Sequence, residues 1–438
     1  MRQTQYKWSK GRNLALDHPS ATSLSPARLR VLVLAGYYLP GELAGGPIRS
    51  IANLVQSLGD EFDFRILTSD RDLRASAPYP SIAPRTWLTV GKAQVVYLPP
   101  GAPSALFLLR ELRRGDYDLL YLNSFFARLW SMAPIFWRRI GLLPERPLML
   151  APRGEFSPGA LAIKPRRKRL YQAIARWSRL YDNVTWHASY DLERTDIRRQ
   201  FGGQPIIVTE PLPASGRGRN LGSSQPRPVV HVAADLPAEQ PRPAPPVRLV
   251  KQQGELRVIF LSRISRMKNL DQALRVLARC TGAIAFDIYG PAEDSAYWEE
   301  CRDLLQRLPL NIKARWHGSV SHGAVGALFH QYHLFFFPTQ GENFGHVISE
   351  ALGAGCPVLI SDQTPWRDLA AAGVGWDLPL ADETAFVEVI EHCVTLTNED
   401  FSLLSSRAQT YETVRRGDPR AVSQNREMLL TVGRSALR

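Results

Sequence analysis

The chain has 438 residues, of which 45% are hydrophobic and 22% charged, with a formal net charge of +13. That length and mixture fit a soluble globular protein of two ordinary domains, and no apolar run approaches the roughly 20 residues of a membrane span. The four cysteines, Cys280, Cys301, Cys356 and Cys393, lie too far apart for metal-ligand spacing or a disulfide framework, which implies reduced thiols.

The positive charge is uneven. Residues 1–200 hold 30 Lys and Arg against 16 Asp and Glu, whereas residues 201–438 hold 24 against 25. The basic half calls for an anionic partner: nucleic acid, anionic lipid or an anionic substrate. Residues 1–27 are polar, without sustained periodicity or an apolar leader, and are expected to form a disordered tail.

A first domain is expected over 28–204. Its opening strand, RLRVLVLA from Arg28, leads into a loop with Gly45 and Gly46 and then a helix. Two glycines there permit a tight turn, or a close approach of backbone to a ligand. Further strands are expected at Phe64–Thr68, Ala93–Leu98, Leu119–Leu122, Leu148–Ala151 and Val184–Ala188, alternating with helical patterns as in a doubly wound parallel sheet. Asn123 closes one strand. Arg153, in the loop APRGEFSPGAL, is either a phosphate or hydroxyl partner or a structural loop arginine.

Residues 205–250, rich in Pro, Gly and Ser, read as an insertion and linker. Two apolar stretches, Ile206–Thr209 and Val229–Leu236, compete to be the last strand of the first domain. A second domain is expected over 251–415. Its strand Arg257–Ser262 is followed by Arg263 and Lys268, and two cations at a strand end suit a diphosphate. The plain alternative is two exposed basic residues in a turn. A helix is expected at Asn269–Arg279, then a strand ending at Gly290, and a strand and loop holding Gly318. His317 and His322 lack matching metal partners and read as non-ligands, and no metal site is expected. Late helices are expected at Asp382–Val394 and Asp400–Arg415, and 416–438 holds a last helix able to cross back onto the first domain.

The most informative stretch is LFFFPTQGENFGHVISEALGAGCPVLISD, Leu334 to Asp362, which reads strand, loop, helix, turn, strand. Val347, Ile348, Ala351 and Leu352 fall on one helical face, with His346, Ser349, Glu350 and Gly353 on the other. A loop after a parallel strand opens at the carboxyl edge of the sheet, where such sheets bind ligands. The helix N-terminus favours an anion such as a diphosphate. Glu342 and Glu350 flank that N-terminus, placed to accept hydrogen bonds from the hydroxyls of a sugar or ribose.

The phrase GENFGHVISEALGAGCPVLISD resembles the donor segment of GT-B glycosyltransferases of family 4, with Glu342 and Glu350 as their E-x7-E pair. The resemblance spans about residues 30–420 and is densest over 255–370. It implies an α/β chain of two Rossmann-like domains facing a central cleft. It further implies a retaining, metal-independent transferase that moves a sugar from a nucleotide diphosphate sugar to a hydroxyl. By the resemblance, Glu342, Arg263 and Lys268 are catalytic, and Glu350, Asn343, Phe344, Gly345, His346, Gly290 and Gly318 bind the donor. Gly45, Gly46, Asn123 and Arg153 belong to the acceptor-side loops. Many relatives carry a histidine that touches the sugar near Asn123; this chain does not, which keeps open a catalytically silent nucleotide-sugar scaffold. A hydrolase or epimerase of the same fold is also open.

No P-loop, zinc-ligand or G-x-S-x-G pattern is present, and no nucleic-acid module accompanies the basic charge. The expected partners are therefore a nucleotide diphosphate sugar, a glycan or lipid-linked acceptor, and an anionic membrane surface, with no cofactor and no nucleic acid. The basic clusters at Arg110–Arg114, Arg138–Arg139 and Lys164–Arg169, with Trp130, Phe136 and Trp137, point to peripheral docking on the cytoplasmic face of a membrane.

Overall fold

A computed structural model describes residues 28–163, 165–202, 228–238 and 249–435. The first sheet contains β1 (Arg30–Leu34), β2 (Asp63–Ser69), β3 (Leu88–Val90), β4 (Ala93–Leu98), β5 (Leu119–Asn123), β6 (Leu148–Ala151), β7 (Thr185–Ala188) and β8 (Val230–Val232). Its order is β3-β4-β2-β1-β5-β6-β7-β8, parallel except for the antiparallel edge strand β3. Helices α1 (Gly46–Leu58), α2 (Ala102–Arg114), α3 (Ala133–Arg139), α4 (Pro158–Ala162), α5 (Pro165–Trp177) and α6 (Asp191–Phe201) connect it.

The second sheet contains β9 (Glu255–Leu261), β10 (Ala283–Tyr289), β11 (Ile312–Trp316), β12 (Leu334–Phe337), β13 (Val358–Ser361) and β14 (Gly375–Leu378). It is wholly parallel, in the order β11-β10-β9-β12-β13-β14. Its helices are α7 (Leu270–Leu277), α8 (Ser295–Gln306), α9 (His322–Phe329), α10 (His346–Gly353), α11 (Leu369–Ala372) and α12 (Glu383–Thr395). Two long helices close the chain, α13 (Asn398–Gly417) and α14 (Pro419–Gly433).

Strands buried on both faces need continuous apolar runs. RVLVL in β1, LLYLN in β5 and LFFF in β12 supply them and are almost wholly buried. The first sheet has a core on each face, one under α1 and α14, the other under α2, α3, α5 and α6. Side-chain caps start several helices: Ser157 accepts from Ala160 N–H, Asp382 from Ala385 N–H and Thr397 from Asp400 N–H.

The final strand of the first sheet is β8, within Val229–Leu236, so residues assigned to the linker by composition belong to the first core; Ala233 and Leu236 are buried there. Ile206–Thr209 and the tail 1–27 lie outside the described residues. Helix α14 does return to the first sheet. Met428, Leu429 and Val432 enter its core, Arg426 pairs with Glu61, and Gly433 packs so tightly on Leu29 that a Cβ would stand 2.5 Å from its Cδ1.

The polar face read for α10 is not solvated. Ser349 and Glu350 are buried, Ser349 against Glu412 and Arg416 of α13, and Glu350 against Arg49 of α1. Helix α10 is thus enclosed by the second core on one side and by charged partners on the other. The aromatic residues expected to face a membrane are also divided: Phe136 is exposed, but Trp130 and Trp137 pack on the first core.

Candidate functional site

Each sheet presents the carboxyl ends of its strands to a shared cleft of about 510 Å³. From the first sheet come Gly45, Gly46, Arg49 and Ser50 after β1, Arg153 and Gly154 after β6, Tyr190 after β7 and Asp235 after β8. From the second come Arg263 and Lys268 after β9, Gly290 after β10, His322 after β11, and Glu342 to Glu350 after β12. Every lining segment follows a strand end, the position where open α/β sheets take ligands.

On the second-sheet side, Lys268 Nζ pairs with Glu342 Oε1 and also sits 5.6 Å from the Phe337 ring centre. Arg263 Nη1 lies 2.9 Å from Glu293 Oε2. Glu350, on the second turn of α10, pairs with Arg49 across the cleft. Burial pushes the Glu350 carboxyl up, and the Arg49 guanidinium draws it back. His346 Nε2 stands 3.3 Å from Ser50 Oγ, and burial pulls its pKa down to about 3, so the ring is neutral at pH 7. Gly345 caps α10 with φ 77°, and a Cβ there would meet Ile348 at 2.8 Å. Phe344 is buried, its carbonyl accepting from Trp366 Nε1 at 2.6 Å.

The loop after β12 also ties the two halves together. Tyr190 Oη donates to the Glu342 carbonyl at 3.0 Å, and Asn343 Nδ2 donates to Ser189 Oγ at 2.9 Å and Asp235 Oδ2 at 3.1 Å. Gly45 and Gly46 face Arg263 and His346, so side chains here would crowd those two residues across the cleft.

Behind this loop is a buried polar hub. Arg153, with φ 56°, is bonded through all three of its guanidinium nitrogens: Nε and Nη2 to Asn123 Oδ1 at 3.1 Å, Nη1 to Ser189 and Asp235, and Nη2 to Tyr121 Oη at 2.9 Å. Asp235 also accepts from Ser50 Oγ at 2.7 Å. Burial would raise the Asp235 carboxyl, but Arg153 holds it below the usual range. Tyr121 Oη bonds His187 Nδ1 at 2.6 Å, and His187 Nε2 lies 2.9 Å from the Ala233 carbonyl, so this ring is a neutral Nε2–H tautomer.

The cleft therefore collects Glu342, Arg263, Lys268, Glu350, Asn343, Phe344, Gly345, His346, Gly290, Gly45, Gly46 and Arg153. Asn123 and Gly318 are not on its lining. Asn123 is buried behind Arg153, and Gly318 serves Gly290, whose N–H donates to its carbonyl at 2.8 Å. Gly290 itself has a packing reason: a Cβ would lie 1.8 Å from the Ser262 carbonyl oxygen. His317 bonds Asp287 at 2.6 Å and stacks on Tyr289. Sequence reading missed Asp235, Arg49, Ser50 and Tyr190. The signal for Asp235 was an acid directly after an apolar stretch; for Arg49 it was a cation one turn beyond the Gly45-Gly46 loop.

Cations at one strand end, carboxylates on either side of a helix N-terminus and a glycine loop opposite are groups of the kind that a phosphorylated polyol would require. Residues 243–408 match the family model described as "Glycosyl transferases group 1". This region is a glycosyltransferase group 1 domain. Over 123 residues the chain is 28% identical to 2-deoxystreptamine N-acetyl-D-glucosaminyltransferase of Niallia circulans, an alignment spanning 27% of this chain and 31% of that relative. Solved structures extend the likeness across both sheets. Alr3699/HepE of Anabaena, crystallised with UDP and glucose, superposes with a TM-score of 0.60 at 16% identity, covering 92% of this chain and 99% of that one. Sucrose-phosphate synthase of Thermosynechococcus elongatus gives 0.63 at 12% identity, covering 92% and 98%. The fold is GT-B, and the group 1 domain is its second half.

Proposed function

We propose that the protein is a retaining glycosyltransferase of family 4 type that moves a sugar from a nucleotide diphosphate sugar to a hydroxyl without a metal ion. The observation that carries this reading is the convergence of Arg263, Lys268, Glu342 and Glu350, all within the group 1 domain, on the cleft shared with the first sheet. In the transfer, the bond from the sugar's anomeric carbon to the diphosphate oxygen breaks, and its electron pair leaves with the diphosphate. The acceptor oxygen bonds the same carbon from the same face, and its proton passes to the departing diphosphate oxygen. Arg263 and Lys268 stabilise the charge that grows on that oxygen, the work a divalent cation does elsewhere. Glu342 orients the sugar hydroxyls, Glu350 accepts from the ribose diol, and the backbone of Asn343 to His346 frames the sugar. Arg153 acts indirectly, because its donors are bonded to protein; it fixes Asp235, which fixes Asn343.

The acceptor we infer is a lipid-linked glycan in surface or exopolysaccharide synthesis, met at the inner face of the cell membrane. The excess of cations in residues 1–200 supports this. The buried position of Asn123, where relatives carry a sugar-contacting histidine, favours as second reading a silent nucleotide-sugar scaffold.

The test is thermal stabilisation by a panel of nucleotide sugars, UDP-sugars first, with and without EDTA, since a ligand of the folded state raises Tm. Stabilisation should survive EDTA and be lost in Lys268→Ala. Donor turnover with a glycosylated product separates transferase from scaffold. Activity abolished by EDTA and restored by Mg²⁺ would overturn the metal-free mechanism.

A further inference from the structure

Helix α5 reads PRRKRLYQAIARW, with five cations and no acid. One face holds it to the protein. Gln172 and Ala175 are buried, Tyr171 packs on Phe125 at 5.5 Å and bonds Tyr181, and Lys168 turns inward to the Ala160 carbonyl at 2.7 Å. The opposite face carries Leu170, Ile174 and Trp177, which are 64%, 50% and 87% exposed. Steps of four and three residues align them in a single stripe. Arg166, Arg167, Arg169 and Arg176 are exposed around it. Helix α3, on the same side of the first sheet, adds exposed Phe136, Arg139 and Ile140.

We propose that this face is the surface by which the protein docks on an anionic bilayer, with α5 lying in the interface; the proposal deepens the membrane-linked acceptor reading above and rests on it. A bare tryptophan and two aliphatic side chains need an apolar medium, and arginines around them need anions in the same plane. An anionic bilayer offers both together. A second copy of this face would instead oppose cation to cation. The position fits the chemistry too. Helix α4 runs into α5 after two residues, Ser157 and Ala160 line the cleft, and Gly159 abuts Gln340 of the opposite loop. Docking through α5 thus holds the cleft mouth at headgroup level, where the hydroxyl of a lipid-linked glycan arrives.

The experiment is co-sedimentation of the full chain with vesicles of phosphatidylcholine alone or with phosphatidylglycerol. The wild type should bind only the anionic vesicles. Binding should fall about tenfold or more in L170Q/I174Q/W177Q, and likewise in R166Q/R167Q. A polarity-sensitive dye on Ile174→Cys should shift to the blue with anionic vesicles; the four native thiols are all buried and leave the label selective. Substituted proteins sedimenting like the wild type would overturn the proposal. So would a blue shift without vesicles accompanied by dimer formation, which assigns the face to a second copy. Nucleotide-sugar stabilisation, measured on the same proteins, should be unchanged by the α5 substitutions. Its absence from the wild type would overturn the transferase reading and leave the docking result standing.

Discussion

Asp235→Ala is the sharpest test of how the cleft is held. The carboxylate is 5% exposed and answers three groups: Arg153 Nη1, Ser50 Oγ at 2.7 Å and Asn343 Nδ2 at 3.1 Å. Removing it leaves the Arg153 guanidinium, itself almost wholly buried, without its ion-pair partner. Breaking one side of a buried pair costs about 3–5 kcal/mol, a large part of a typical total of about 5–15 kcal/mol. The unfolding midpoint of the first domain should fall by about 10 °C. The assay is urea and thermal unfolding of wild type, Asp235→Ala, Arg153→Met and the double change Asp235→Leu/Arg153→Met. The double change should recover much of the loss, because the cost lies in the unpaired charge and not in the absent attraction. A midpoint for Asp235→Ala within about 2 °C of wild type, less than 1 kcal/mol on this scale, would refute the argument.

Acid should weaken the fold through its buried imidazoles. Burial pulls His187 down to about 4 and His346 to about 3, against about 6.5 when unfolded. The unfolded chain then binds more protons between those values, so the imidazole contribution to stability is complete above about pH 6.5 and is lost as pH drops towards 4; His187→Gln should flatten that slope in unfolding measured across the window. Glu350→Gln should weaken competition by free nucleoside diphosphate, whereas Glu342→Gln should slow transfer with nucleotide affinity little changed. Equal losses of nucleotide affinity in both would reject the division between ribose and sugar.

Much of the fold was legible because buried parallel strands leave dense apolar runs. Ala93–Leu98 and Leu148–Ala151 fall on the expected residues. The short antiparallel β3 was not legible, since three residues at an edge, none of them buried, carry no such run. The donor loop could be found because Glu342, the helix start and Glu350 are close in sequence, and local geometry alone places them. Asp235 could not be placed that way. Its neighbours in sequence are proline-rich, while its neighbours in space, Ser50, Arg153 and Asn343, come from three separate loops.

Helix α5 shows the same limit from the other side. Its apolar residues, Leu170, Tyr171, Ile174, Ala175 and Trp177, support two stripes at helical spacing, and periodicity does not say which one meets the core. The sheet settles it: Tyr171 and Ala175 go inward among the rings of Phe125, Phe126 and Tyr181, leaving Leu170, Ile174 and Trp177 outside. The basic charge was visible from composition, but a surface that binds a membrane requires charge and apolar area on one plane. That coincidence exists only after packing has chosen a face, and it follows that neither the arginines of α5 nor the stripe they surround should suffice alone.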